Sequence, residues 1–233
     1  MGKIIIAGGD EAGRGAVLGP LVTGVISIKA SSAQRLSEIG VRDSKMLSRK
    51  RREYLYDEIY AIAEEVKVSL ISAAEISRAM VSGISINELE AAHFAKIIDS
   101  LKSPVSTIFI DSPEVIQERF GIRISMISHK PMEINRQRRS RKDSIKLISE
   151  HKADVKYPVV SGASIIAKVV RDREIDKLKS KLKIDIGSGY PSDMRTIDAI
   201  RSNLSNAALA QHIRTKWRTL ELIKQMKIVD FLT

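Results

Sequence analysis

The stretch Ile4-Ile5-Ile6-Ala7-Gly8-Gly9-Asp10-Glu11-Ala12-Gly13-Arg14-Gly15 runs from an apolar segment into two adjacent acids and then a glycine-arginine-glycine step. The apolar part, Ile4 to Gly8, reads as a strand, and Leu21 to Ile28 as a second, so the two are expected to form a hairpin. Adjacent acids at the end of a buried strand repel each other, and desolvation raises their pKa values unless a cation keeps them ionised. A divalent metal is the simplest remedy. Asp111 follows the apolar run Thr107 to Ile110, and Asp154 precedes Tyr157-Pro158-Val159-Val160. Taken singly, either acid reads as a turn or helix cap. If their strands lie side by side, four carboxylates, Asp10, Glu11, Asp111 and Asp154, converge on one sheet edge. An all-oxygen set of this size suits Mg²⁺ or Mn²⁺, which retain water and bind phosphate oxygens. Such a site hydrolyses phosphodiesters with two ions about 4 Å apart, one activating the attacking water and the other stabilising the leaving 3′-oxygen.

Composition narrows the partners. The chain has 233 residues, 43% of them hydrophobic, enough for one large domain or a main domain with a small appendage. There is no long uncharged apolar stretch and no small-residue cleavage site after Met1 to Ala7, so a soluble, unexported, cytoplasmic protein is expected, with no membrane partner. Cysteine is absent, which excludes disulfides and thiolate-bound zinc. A net charge of +11 favours polyanions through phosphate contacts.

Around the acids, spacing predicts the frame. Ser48 is a plausible N-cap for a helix over 49–66 that buries Leu55, Ile59, Ile62 and Val66, and a strand follows over 66–71. Asn87 with Glu90 resembles a capping box opening a helix that buries Leu89, Ile97, Ile98 and Leu101. Ser112 to Ile148 is hard to read, apart from a possible strand over 145–148. Its Arg136 to Lys142 run carries four arginines and a lysine, the pattern of a solvated loop or of a segment tracking phosphates. Ser161 to Lys183 is strongly helical, Gly187, Gly189 and Pro191 mark a break, and two or three helices follow over 191–225. A strand-rich first half and a helical tail predict an α/β layer with a helical C-terminal appendage.

The glycines do not make a dinucleotide fingerprint. Gly19 stands one position too late for G-x-G-x-x-G, a strand rather than a helix follows, and Asp10 and Glu11 would repel a pyrophosphate. Without side chains at Gly13 and Gly15, the backbone can instead approach a sugar–phosphate chain closely, while Arg14 fixes a loop or a phosphate.

Across nearly its whole length the chain resembles ribonuclease HII of the archaeal type. The matches are Asp10 to Gly15 continued by Gly19-Pro20-Leu21-Val22, Asp43-Ser44-Lys45 with Leu47-Ser48, Ile86 to Glu90, Lys152-Ala153-Asp154, Tyr157 to Ser161, Ala163 to Lys168 with Arg171-Asp172, and Ser188 to Asp193. The resemblance implies an RNase H-like fold, a mixed sheet flanked by helices, divided into a catalytic domain over 1–185, a helical appendage over 186–224 and a tail over 225–233. It implies cleavage of RNA–DNA hybrids and of duplex DNA with embedded ribonucleotides, 5′ to the ribonucleotide, leaving 3′-hydroxyl and 5′-phosphate ends.

Residue roles carried by the resemblance follow the same motifs. Asp10, Glu11, Asp111 and Asp154 match the metal-binding carboxylates, with Asp172 a rival for the fourth place. Gly13, Arg14 and Gly15 match the loop that senses the ribose 2′-hydroxyl. Tyr190 matches a tyrosine that stacks on the sugar, and Lys45, Ser164 and Lys168 match positions near substrate phosphates. Two departures stand out: Gly9 replaces an aliphatic residue before the first aspartate, and Ala16 replaces a proline after the glycine-arginine-glycine turn. Gln225, Ile228, Phe231 and Leu232 have the spacing of a sliding-clamp-binding peptide, an apolar plug beside a polar anchor, and also that of an amphipathic helix packed on its own domain. His151, three residues before Asp154, is a candidate for proton transfer, and Trp217 is expected to pack into the helical appendage. A monomer is expected. Rival readings are a non-catalytic duplex-binding module, which would need no magnesium, and a junction nuclease of the same superfamily, which would cut all-DNA substrates.

Overall fold

The apolar run before the paired acids is strand β1 (Ile5–Ala12), and β2 (Leu21–Lys29) lies beside it in the sheet. A computed structural model describes residues 4–41, 47–135, 144–221 and 223. After the short helix α1 (Ala33–Glu38), α2 (Arg49–Ile62) starts where its cap predicts, with Ser48 Oγ accepting from the Arg51 amide at 3.2 Å. Leu55, Ile59 and Ile62 are buried, but the helix stops short of Val66, which belongs to β3 (Glu65–Ile71). Next come α3 (Ala73–Val81) and α4 (Ile86–Ser100). The capping-box expectation at Asn87 is corrected, because α4 already begins at Ile86 and places Asn87 inside its first turn. Leu89 is half-buried while Glu90 is fully buried.

The acids stand on the central strands. β4 (Val105–Asp111) pairs in parallel with β1, and β6 (Ile145–Glu150) in parallel with β4. Between them lie α5 (Gln117–Ile127) and the short β5 (Met132–Ile134), neither of which sequence periodicity predicts. The sheet of the described residues is six-stranded and mixed, in the order β3-β2-β1-β4-β6-β5. Central parallel strands are covered on both faces, which is why β1 and β4 read as apolar runs rather than alternating patterns.

A short helix α6 (Ala153–Lys156) leads directly into α7 (Pro158–Leu182), which starts three residues before the predicted Ser161. Proline at the first helical position has its φ preset and lacks only an N–H that the helix would leave unpaired. α7 lies against β1 at Gly8, where a Cβ would come 2.4 Å from the Val159 carbonyl carbon, so the close approach requires glycine. At Gly9 a Cβ would meet the Phe94 ring at 3.0 Å and Ile110 at 3.3 Å, and these neighbours fill the space an aliphatic residue would take. The 191–225 region holds α8 (Met194–Ser202), α9 (Ala207–Ala210) and a helical turn at 218–221.

The chain divides into two compact units. The described parts of Met1–Ala12, Thr23–Ser69 and Asn87–Val169 form one, and those of Gly13–Val22, Leu70–Ile86 and Val170–Thr233 the other. The core of the first gathers Ile5, Ala7, Phe94, Ile98, Ile108, Ile110, Phe120 and Leu147, with Phe94 and Phe120 edge to face at 5.9 Å. In the second, Val17 and Leu18 pack with Ile175, Ile186, Ile200, Leu209 and Ile213, and Trp217 lies against that cluster. Among the described residues no helix is long and apolar enough to cross a membrane.

Candidate active site

Three strand ends bring the acids of the first unit together. The β1–β4 register pairs Gly9 with Ile110, the residues just before Asp10 and Asp111, and the β4–β6 register pairs Asp111 with Glu150. Beyond β6, Lys152 adopts a left-handed conformation (φ 57°), which costs a non-glycine residue roughly 1–2 kcal/mol and turns the chain into α6. The turn delivers the Ala153 amide to Asp111 Oδ1 at 2.7 Å and seats the neighbouring Asp154, 7% exposed, in the first turn of α6. The Ser161 hydroxyl donates to the Asp154 carbonyl and ties α6 to α7.

Asp10 is the electrostatic centre. Burial pushes its pKa well above the ordinary carboxylate range, and the charges of Glu11 and Asp111 push it further, against the Ser164 hydroxyl and the Lys168 ammonium. Ser164 and Lys168 stand four residues apart on one face of α7, and Lys168 Nζ donates to Ser164 Oγ at 2.8 Å. The Glu11 amide donates to Asp10 Oδ1 at 2.8 Å. Asp10, Glu11 and Asp111 therefore share one field, and the buried Asp154 follows the residue whose amide binds Asp111. Among the described residues no group of three or more His, Asp or Glu side chains stands close enough together to hold a metal ion as it is. The donor set nonetheless fits a hard divalent ion: it is all oxygen, partly desolvated, and of one sign beyond what Lys168 offsets.

One neighbour, Glu150, went unread in the sequence. Glu150 accepts from Lys156 Nζ at 2.7 Å and from the Tyr157 hydroxyl at 3.3 Å, while the Tyr157 ring stacks on Phe109 at 4.1 Å. An acid beside Asp111 thus has its own counter-charge. His151 Nε2 lies 2.5 Å from the Glu114 carbonyl; a carbonyl only accepts, so Nε2 carries the hydrogen there.

In the second unit, the glycine-arginine-glycine turn is built on buried arginines. Gly13 has φ +90°, and a Cβ on it would come 2.2 Å from Arg171 Nε. At Gly15 a Cβ would meet nothing within 4 Å, so that glycine faces open space. Arg171, 2% exposed, donates to the Pro20 carbonyl at 3.3 Å and the Ser188 carbonyl at 3.0 Å, and its guanidinium lies 4.5 Å from the Tyr190 ring centroid. Asp172 adds its negative charge beside Arg171. The loop bearing Tyr190 is held by the Gly189 carbonyl, which accepts from the Val17 and Leu18 amides at 2.9 and 3.1 Å, and by Asp193, which accepts from the Ser188 amide at 2.8 Å. Arg214 is fully buried and donates to the carbonyls of Gly13, Arg14 and Gly19, with the Trp217 ring 4.9 Å from its guanidinium. Nothing in the spacing of the sequence marks Arg171 or Arg214 as buried, whereas Trp217 packs as expected.

Lys45, the basic run Arg136 to Lys142, and Gln225, Ile228, Phe231 and Leu232 lie outside the described residues.

Residues 7–220 match the family model for ribonuclease HII. Ribonuclease HII of Pyrococcus abyssi is 40% identical over 222 residues, 94% of this chain and 91% of that protein. Among solved structures, the ribonuclease H2 from Pyrococcus horikoshii OT3 superposes with a TM-score of 0.81 at 39% identity, covering 96% of this chain and 98% of that one. The structure of the PCNA:RNase HII complex from Archaeoglobus fulgidus matches with a TM-score of 0.78 at 38% identity, covering 92% and 96%.

Proposed function

The chain belongs to the ribonuclease HII family of metal-dependent nucleases, and from that premise we propose that it hydrolyses the RNA-containing strand of RNA–DNA hybrids and of DNA duplexes with embedded ribonucleotides. Cleavage falls 5′ to the ribonucleotide and leaves 3′-hydroxyl and 5′-phosphate ends. The observation that carries this reading is that Asp10 feels the charges of Glu11 and Asp111 at the ends of adjacent parallel strands, with the Ala153 amide, just before the buried Asp154, bound to Asp111.

Asp10, Glu11, Asp111 and Asp154 would hold Mg²⁺ or Mn²⁺. When bound, a pair of such ions supplies a water of lowered pKa and neutralises charge on the leaving oxygen. The protein's own groups do the rest. The Ser164 hydroxyl and the Lys168 charge, themselves joined by a hydrogen bond, pull the Asp10 pKa down against burial and so favour the ionised form that a metal needs. The amide of Ala153 fixes one oxygen of Asp111 and so restricts how that carboxylate turns. Gly13, Arg14 and Gly15 read the ribose 2′-hydroxyl, Tyr190 stacks on the sugar, and Lys45, Ser164 and Lys168 lie near substrate phosphates. Gln225, Ile228, Phe231 and Leu232 dock on a sliding clamp; the existence of a PCNA complex for the Archaeoglobus fulgidus relative supports this. The enzyme works as a cytoplasmic monomer.

The test is Asp10→Asn. Cleavage of a duplex carrying one ribonucleotide is expected to fall at least about a thousandfold, with the duplex still bound. Unchanged cleavage rejects the assignment, and wild-type cleavage of an all-DNA duplex would favour a junction nuclease instead.

A further inference from the structure

Arg214 lies about 200 positions downstream of the turn it touches, yet three of its nitrogens serve it. Nη2 donates to the Gly13 carbonyl at 2.7 Å, Nη1 to the Arg14 carbonyl at 2.8 Å, and Nε and Nη2 to the Gly19 carbonyl at 3.3 and 3.2 Å. Its own amide donates to the Val17 carbonyl at 2.9 Å. A guanidinium presents its N–H groups in a rigid planar fork, so receptors at several angles are held in fixed relative directions. The described peptides contain no cis bond. In a trans peptide the C=O of one residue and the N–H of the next point opposite ways. The carbonyls of Gly13 and Arg14 point at the buried Arg214, so the N–H groups of Arg14 and Gly15 point away from it, and Gly15 itself is exposed. Two successive N–H groups aimed outward form a cradle for an oxygen of a ligand. Arg171, from beneath, fills the space a Cβ on Gly13 would need and carries the Tyr190 ring.

We infer that Arg214 is a specificity-determining positioning residue: its fork fixes the peptide planes of the Gly13–Gly15 turn so that the Arg14 and Gly15 amides are presented as a donor pair to the ribose hydroxyl. This rests on the reading above that the turn meets ribose. Lysine would keep the charge but not the fork.

The experiment compares wild type with Arg214→Lys by fluorescence anisotropy, in chelator, on a duplex with a single ribonucleotide and on the same duplex as all-DNA. Circular dichroism confirms the fold. Wild type should prefer the ribonucleotide duplex, and the variant should lose about tenfold or more of that preference while its affinity for all-DNA stays within about twofold. A folded variant with undiminished preference overturns the inference, because a purely structural arginine would leave the ratio unmoved. Absence of any preference in wild type instead removes the reading of the turn on which it rests. If Arg214→Lys does not fold, amide NMR of the wild type decides. The Arg14 and Gly15 resonances should shift with the ribonucleotide duplex and not with the all-DNA duplex, and equal response to both overturns the proposal.

Discussion

The acids at the ends of β1 and β4 and the arginine-bound turn of Gly13–Gly19 treat buried charge in opposite ways. Around Asp10, burial and the charges of Glu11 and Asp111 raise its pKa, and the Ser164 hydroxyl and the Lys168 ammonium offset this only in part. Around Arg171 and Arg214, main-chain carbonyls take up the guanidinium hydrogens and aromatic rings lie beside both groups. Burial and the neighbouring Arg171 charge lower the Arg214 pKa, yet a guanidinium stays protonated in proteins, so the carbonyls solvate a permanent cation. The first region concentrates charge of one sign in a buried place. The second is finished, and its task is to hold a shape.

The largest effect that would break this contrast is on stability. Arg214→Met removes the side-chain donor from three carbonyls, of which Gly13 keeps the Ala16 amide, and denaturant unfolding should show a loss of roughly 3–5 kcal/mol. A loss below about 1 kcal/mol would mean that the turn is not held as described. Next comes Gly13→Ala, which combines φ +90° with a 2.2 Å clash against Arg171 and should cost roughly 2–4 kcal/mol in the same assay.

Acid titration sharpens the contrast by sign. The folded pKa of Asp10 is raised above its ordinary 3.8, so its contribution to stability is fully present below that value and is lost as pH rises through the raised pKa. Asp193 runs the other way. Its bonds with Arg195, together with the Ser188 amide, hold its pKa well below 3.8, so its stabilisation is present above that value and is lost as pH falls through the lowered pKa. Melting temperatures against pH in chelator should therefore show Asp10→Asn removing a decline at rising pH and Asp193→Asn removing a decline at falling pH. The same direction for both would dissolve the contrast. Smallest is Gly15→Ala, which meets open space and should change stability by less than about 1 kcal/mol on unfolding.

The placing of Asp10, Glu11 and Asp111 at strand ends was legible in the sequence because apolar runs ending in Asp10-Glu11 and in Asp111 announce themselves locally, and parallel pairing puts such ends side by side. Ser48 likewise announces α2. Where tertiary packing overrides local pattern, the sequence was silent or misleading. Helix α5 carries Gly121 in its middle, since a Cβ there would come 3.0 Å from the Ser149 Cβ, and β5 is only three residues long, too short for any period to show. The start of α4 was misplaced because Ile86 enters the helix ahead of the polar residue that resembles a cap. Arg171 and Arg214 could not be singled out among 39 basic residues, because their partners are backbone oxygens that leave no pattern of residue types.

The hydrogen bond from Arg214 to Gly13 spans 201 residues. At the usual pace of a ribosome, roughly 5–20 residues per second, the turn is synthesised some 10–40 s before its anchor exists. A nascent chain therefore leaves the exit tunnel with its glycine-rich segment unset, and the shape of that turn is among the last features the newborn protein acquires.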